Sequence, residues 1–198
     1  ALFDRLHQPF LLWWGANPGR LSIGGHSAGA HVAALLATDE RYLVAAGLPA
    51  GTLRAAIGMA GPYDFLPFSD DDIKALMGPA KGWPTTQPVN YVDGHEPPMW
   101  LAQGLDDTLV GAHNARNLAA KLRAAGTDVE TREYTSIDHY KLIAALSAPL
   151  RTLAPVREDM LDFLARHDQP RELARRQQRV FDVDMRVDEG RRDIQALG

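Results

Sequence analysis

The sequence predicts an α/β fold, a parallel sheet with helices on both faces, and three observations support this. Short apolar runs of strand length alternate about four times with longer runs of helix length. The apolar runs are bounded by Gly or Pro and lack a period of two, as expected of strands covered on both faces. The composition is that of an ordinary folded domain, with 198 residues, 45% hydrophobic and 23% charged.

The turn signal Asn17-Pro18-Gly19 leads into Leu21-Ser22-Ile23, a first strand that runs onto Gly24 and Gly25. After a sharp turn, an Ala-rich helix is expected from Ser27 or Ala28 to about Ala37, with Val32, Leu35 and Leu36 placed to bury. Thr38-Asp39-Glu40 begins a polar break. Residues 53–60, LRAAIGMA, form a second strand closed by Gly61-Pro62. Ser69 followed by Asp70, Asp71 and Asp72 predicts a helix start, with the Ser69 hydroxyl as cap and the acids at the positive end of the dipole. That solvated role is expected for the triplet, rather than a metal site. Residues 78–98 carry five prolines and predict an irregular excursion. A third strand follows at 98–104, an amphipathic helix at 112–125 with Gly126 as its stop, and a fourth strand at 129–134. Two helices, at 141–146 and 156–164, close the domain. From Asp168 the chain becomes strongly charged, so residues 1–167 are expected to form the domain and 168–198 a helical or disordered tail, loosely attached.

A net charge of −4 offers no electrostatic footprint for nucleic acid or an anionic membrane, so a small neutral or weakly charged ligand is expected. With no Cys, disulfides, thiolate catalysis and Cys-based zinc sites are excluded. The longest apolar run near the start, residues 9–14, is far short of the roughly 20 residues that a membrane span needs. It also lacks the flanks of a signal peptide, which favours a cytoplasmic location. The first residue is Ala1 rather than Met, as in a processed start or a fragment.

The chemistry lies in residues 24–31, GGHSAGAH, which contain the pattern Gly-x-Ser-x-Gly around Ser27. A serine hydroxyl is a poor nucleophile until a base takes its proton and fixed donors hold the resulting oxyanion. Glycines two before and two after it are expected to remove Cβ clashes in a strained strand-to-helix turn that exposes the hydroxyl at a helix N-terminus. The backbone N–H of Ala28 is then one oxyanion donor. Among the seven histidines, His26 and His31 belong to the same turn and helix and are expected to pack beside it. His7, His95, His113 and His167 are expected on the surface. His139 is the expected base, because it lies in a loop directly after the fourth strand, at the edge where Ser27 and the other strand ends gather. Asp106 and Asp107, in the loop after the third strand, are both candidates for the orienting carboxylate; Asp138 adjoins His139 and is expected to diverge from it. The chain order Ser, Asp, His on strand–helix repeats is that of an α/β-hydrolase.

With these residues in hand, the chain resembles the α/β-hydrolase-fold carboxylesterases, within the acetyl-esterase, lipase and feruloyl-esterase-like group. NPGRLSIGGHSAGAHVAALL is similar to that group's nucleophile region, AGPYDF at 60–65 to its Gly-x-Tyr-Asp segment, and PPMWLAQGLDDTLV to its acid loop. In that loop the acid stands three residues after a Gly, which from Gly104 makes it Asp107, with Val110 in register. Gln103 replaces a frequent His, and Asp138 stands where a Gly is common. The resemblance covers roughly residues 14–166.

The resemblance implies the C-terminal half of an α/β-hydrolase fold. Several strands and a His-Gly-Gly loop, source of a second oxyanion donor, precede the nucleophile in that group and are not found in this sequence. The strand ending at Gly24 would then be an open apolar edge, so either the chain is a fragment of a longer protein, the favoured expectation, or a second copy or the tail after Asp168 covers that edge. The implied activity is a serine carboxylic-ester hydrolase acting on a small or short-acyl ester through an acyl-enzyme, with no metal or organic cofactor. Two alternatives are an amide or aryl-formamide hydrolase using Ser27, Asp107 and His139, and a weakly active or inactive module that binds a partner through its bare edge.

Overall fold

The computed structural model describes residues 20–68 and 70–167. Four parallel strands lie side by side in chain order: β1 (Leu21–His26), β2 (Leu53–Met59), β3 (Met99–Gly104) and β4 (Val129–Tyr134). Helices α1 (Ala28–Thr38) and α2 (Arg41–Ala45) join β1 to β2. Helix α3 (Asp71–Met77) and two 3-10 segments, Ala80–Thr86 and Pro88–Tyr91, fill the passage to β3. Helix α4 (His113–Ala124) leads to β4, and α5 (His139–Ala144) and α6 (Val156–His167) follow it.

The sheet is covered on both sides, as its apolar strands require. On one side Ala30, Ala34 and Ala37 of α1 and Leu118, Ala119 and Leu122 of α4 pack on Leu53, Ala56, Met99 and Leu101. On the other, Leu142 of α5 and Val156 and Phe163 of α6 pack on Ala55, Ile57, Met59, Trp100 and Ala102. Leu53 and Ala55 are two apart, yet they face opposite sides. The register explains this: Leu21 and Ile23 of β1 pair with Leu53 and Ala56 of β2, so β2 carries one extra residue and its alternation inverts. β3 is buried along its whole length. β4 forms an edge bearing Glu130, Arg132 and Glu133, charges that discourage further strand pairing. Among the described residues β1 pairs with β2 alone.

Several expectations are corrected. The buried face of α1 is made by Ala30, Ala33, Ala34 and Ala37, at helical spacing, while Val32 on the far side is 53% exposed and Leu35 and Leu36 are half-buried. The polar break after Thr38 contains the short helix α2, whose five residues carry no apolar period. Asp70 caps α3, accepting from the amides of Asp72 and Ile73. The cap predicted at Ser69 lies outside the described residues, as do the tail from Asp168 and the segment before Arg20. Asp71 of the acidic triplet pairs with Lys74 at 2.7 Å. Helix α6 runs three residues past Leu164, its last turn carrying Arg166 and His167 where the dipole favours positive charge. Among the described residues no helix is long and apolar enough to cross a membrane.

Candidate active site

β1 ends at His26 and α1 begins at Ala28, so Ser27 alone makes the turn between them. Its backbone lies at φ 56° and ψ −123°, a left-handed conformation that costs a non-glycine residue on the order of 1–3 kcal/mol. Hydrogen bonds hold it there. The Ser27 amide donates to Met59 O at 2.9 Å, while the amides of Ala30 and His31 donate to Ser27 O at 3.0 and 3.1 Å. The Ser27 hydroxyl does not cap its own helix. The Ala28 amide occupies the first helical position, where no carbonyl one turn earlier can accept it within the helix.

The two glycines of the motif serve differently. A Cβ on Gly25 would stand 2.2 Å from the carbonyl of Gly29, so only glycine lets the strand pass the helix start. A Cβ on Gly29 meets nothing within 4 Å. The expectation that both glycines relieve a clash therefore holds only for Gly25.

Asp107 follows β3, and its side chain has no exposed surface. Its Oδ1 accepts from the amides of Leu109 and Val110, both at 2.9 Å. Its Oδ2 accepts from His139 Nδ1–H at 2.7 Å and from Gln103 Nε2–H at 3.2 Å. Burial opposes ionisation here, but the Val110 amide, the His139 ring and the Leu109 amide outweigh it and hold the carboxyl below the usual carboxylate range. Asp106 is exposed, and its amide donates to Ile137 O at 3.0 Å, in the loop that leads to His139.

His139 stands at the first position of α5 rather than in a loop. Asp138 is the reason: its carboxylate accepts from the amides of Tyr140 and Lys141 and starts the helix two residues before the predicted boundary. Asp138 diverges from the His139 ring, as expected. The segments that lead to Asp107 and His139 meet closely, with the Leu105 amide donating to Tyr134 O at 2.9 Å. A Cβ on Gly104 would stand 2.3 Å from Ile137 O. The bond to Asp107 places the His139 proton on Nδ1, leaving the Nε2 lone pair free to accept one.

His26 joins this arrangement to the elbow. Its Nε2–H donates to the main-chain carbonyl of His139 at 2.9 Å, and the two rings lie 4.5 Å apart. Ser27 and His139 are thus brought to one end of the sheet. The other described histidines lie elsewhere. His31 Nε2–H donates to Thr86 O at 2.7 Å, and His95 and His113 are exposed. His167 is half-buried against Phe163 rather than on the surface. His7 is outside the described residues.

Sequence reasoning missed the parts played by Gln103 and His26. Gln103 is buried and also donates to Val110 O at 2.9 Å, bracing the loop that carries Asp107. Its sequence signal was its place before Gly104, where a His is frequent in the group the chain resembles.

An elbow serine at the carboxyl edge of a parallel sheet, with a buried carboxylate–imidazole pair on later strand ends, defines a carboxylesterase-like protein of the α/β-hydrolase fold. Residues 13–122 match the BD-FAE family, more than half of the chain, and the chain belongs to that family. It is 29% identical over 167 residues to Esterase LipQ of Mycobacterium tuberculosis, an alignment covering 76% of this chain and 39% of LipQ. The chain thus spans well under half the length of that relative. Among solved structures, a sugar hydrolase (YeeB) from Lactococcus lactis superposes with a TM-score of 0.65 at 20% identity, covering 83% of this chain and 65% of that one. An acylaminoacyl peptidase from Pyrococcus horikoshii gives 0.59 at 17% identity, covering 81% and 26%.

Proposed function

We propose that this chain carries the catalytic residues of a serine carboxylic-ester hydrolase acting on a small or short-acyl ester. Ser27 Oγ attacks the acyl carbon while His139 Nε2 takes its proton, and the Ala28 amide donates to the developing oxyanion. His139 then returns the proton to the leaving alkoxide, so that an alcohol departs and the acyl group stays on Ser27. Water, deprotonated by the same nitrogen, attacks the acyl-enzyme; collapse releases the acid and restores the serine. Asp107 stays ionised throughout, fixing the tautomer of His139 and stabilising the imidazolium. This cycle balances without a metal or an organic cofactor.

The observation that carries the reading is the buried 2.7 Å bond from His139 to Asp107, tied to the residue that precedes a strained elbow serine. The relation to a protein named as an esterase supports the ester as substrate class. The test compares initial rates on p-nitrophenyl acetate and an aryl formamide, for the chain and for Ser27→Ala. Ester turnover that exceeds formamide turnover and disappears in Ser27→Ala is expected. Faster formamide turnover would move the substrate class to amides, and turnover surviving in Ser27→Ala would overturn the serine mechanism.

A further inference from the structure

We propose that His26 is a positioning residue that ties the main chain of the base, His139, to the nucleophile elbow, so that Ser27 and His139 hold their relative places. The catalytic consequence rests on the serine-hydrolase reading above; the tether does not.

The need for such a tether follows from the strand order. Ser27 sits at the end of β1, while His139 follows β4, three strands away in the sheet. Neighbouring strands lie about 4.8 Å apart, so roughly 14 Å of sheet separates the two strand ends. The base loop must cross the ends of β3 and β2 to approach the serine. Its other hydrogen-bonded supports anchor it to its own side. Asp107 and the Gly104–Asp106 backbone hold it to the end of β3, and Asp138 caps its helix from within. The His26 bond alone among these reaches β1, and it does so from the residue adjacent to the nucleophile.

The chemistry of the contact is suited to this task. A carbonyl oxygen only accepts, so His26 carries its proton on Nε2 and donates it. The bond goes to main chain rather than to the ring, which leaves the His139 ring free for Asp107 and the reacting groups. The His26 and His139 rings lie 4.5 Å apart and tilted to one another by 52°, and the Tyr140 ring meets the His139 ring edge-on at 5.5 Å. The Gly-x-Ser-x-Gly pattern itself leaves position 26 open, so this role is specific to a side chain long enough to reach residue 139 and able to donate.

The test uses the full chain, with His26→Leu lacking the donor and His26→Gln retaining one. The readouts are the downfield NMR signal of the His139 Nδ1 proton, assigned by its loss in Asp107→Asn, and kcat and KM on p-nitrophenyl acetate. His26→Leu is expected to broaden or shift the signal and to lower kcat about 10- to 100-fold with KM within about twofold, the scale of a misplaced catalytic group. His26→Gln is expected to recover most of both. An unchanged signal with kcat within about twofold in His26→Leu, or equal losses in Leu and Gln, would overturn the tether. Where His26→Leu fails to fold, His26→Asn, whose donor is too short to reach, takes its place. If the unmodified chain turns over no ester, the NMR signal decides alone: perturbation in Leu and recovery in Gln uphold the tether while the hydrolase reading falls.

Discussion

Replacing Asp107 by Asn keeps the side chain's shape and changes one atom's role. The remaining oxygen satisfies the Leu109 and Val110 amides by taking the Oδ1 position, since both donate there. The new NH2 then occupies the Oδ2 position, where it faces two donors, His139 Nδ1–H and Gln103 Nε2–H. The conflict with His139 is relieved when that ring moves its proton to Nε2, and the nitrogen can then no longer accept one from Ser27. A wrong tautomer costs about 10⁴-fold in kcat, or roughly 5 kcal/mol of barrier. Loss of the charge-assisted bond costs a further 1.5–3 kcal/mol of stability, approximately. Asp106→Asn alters an exposed carboxylate and is expected to change kcat by less than about twofold. Rates on p-nitrophenyl acetate, with thermal melting as the fold control, measure both. Equal losses at 106 and 107, or an Asp107→Asn rate within about tenfold of the parent, would refute the reasoning.

Gly104→Ala puts a Cβ 2.3 Å from Ile137 O, so the base loop must lift; melting should show about 1–3 kcal/mol of destabilisation together with a loss of ester turnover. Gly25→Ala meets backbone at 2.2 Å and should destabilise strongly, whereas Gly29→Ala meets open space and should leave stability equal or higher by up to about 1 kcal/mol in the same melts. Burial, the largest influence, lowers the pKa of His26 from its ordinary 6.5, so the unfolded chain binds that proton more readily than the folded one. Its contribution to stability is therefore full above about pH 6.5 and declines as pH falls through that value. A melting series from about pH 7.5 to 5 should show a shallower decline in His26→Gln.

The sequence was most legible where structure is local. β2 and β3 are apolar runs between breakers, and both prove buried on two faces because both sides of the sheet are covered. The turn at Ser27 was legible in five consecutive residues, and the bond between Asp107 and His139 joins the two residues singled out by the count from Gly104 and the place after β4. Features set by tertiary contact were not legible. The extra residue in β2 appears only in its register against β1, and the Ala face of α1 is chosen by how closely that helix approaches the sheet. Asp138 reads equally well as a loop acid or a helix cap, so the start of α5 stayed open by two residues. His26 and Gln103 act through side chains reaching distant or turned backbone, the first across 113 positions, and no local pattern encodes such a bond.

In the proposed function, Ser27 is a nucleophile activated by His139. Intact-mass analysis of the chain after exposure to a fluorophosphonate probe tests it directly, with Ser27→Ala and His139→Ala beside it. One covalent adduct is expected on the parent chain, none on Ser27→Ala, and greatly slowed labelling of a folded His139→Ala. A folded parent chain that takes up no probe, or an adduct that persists in Ser27→Ala, would contradict it.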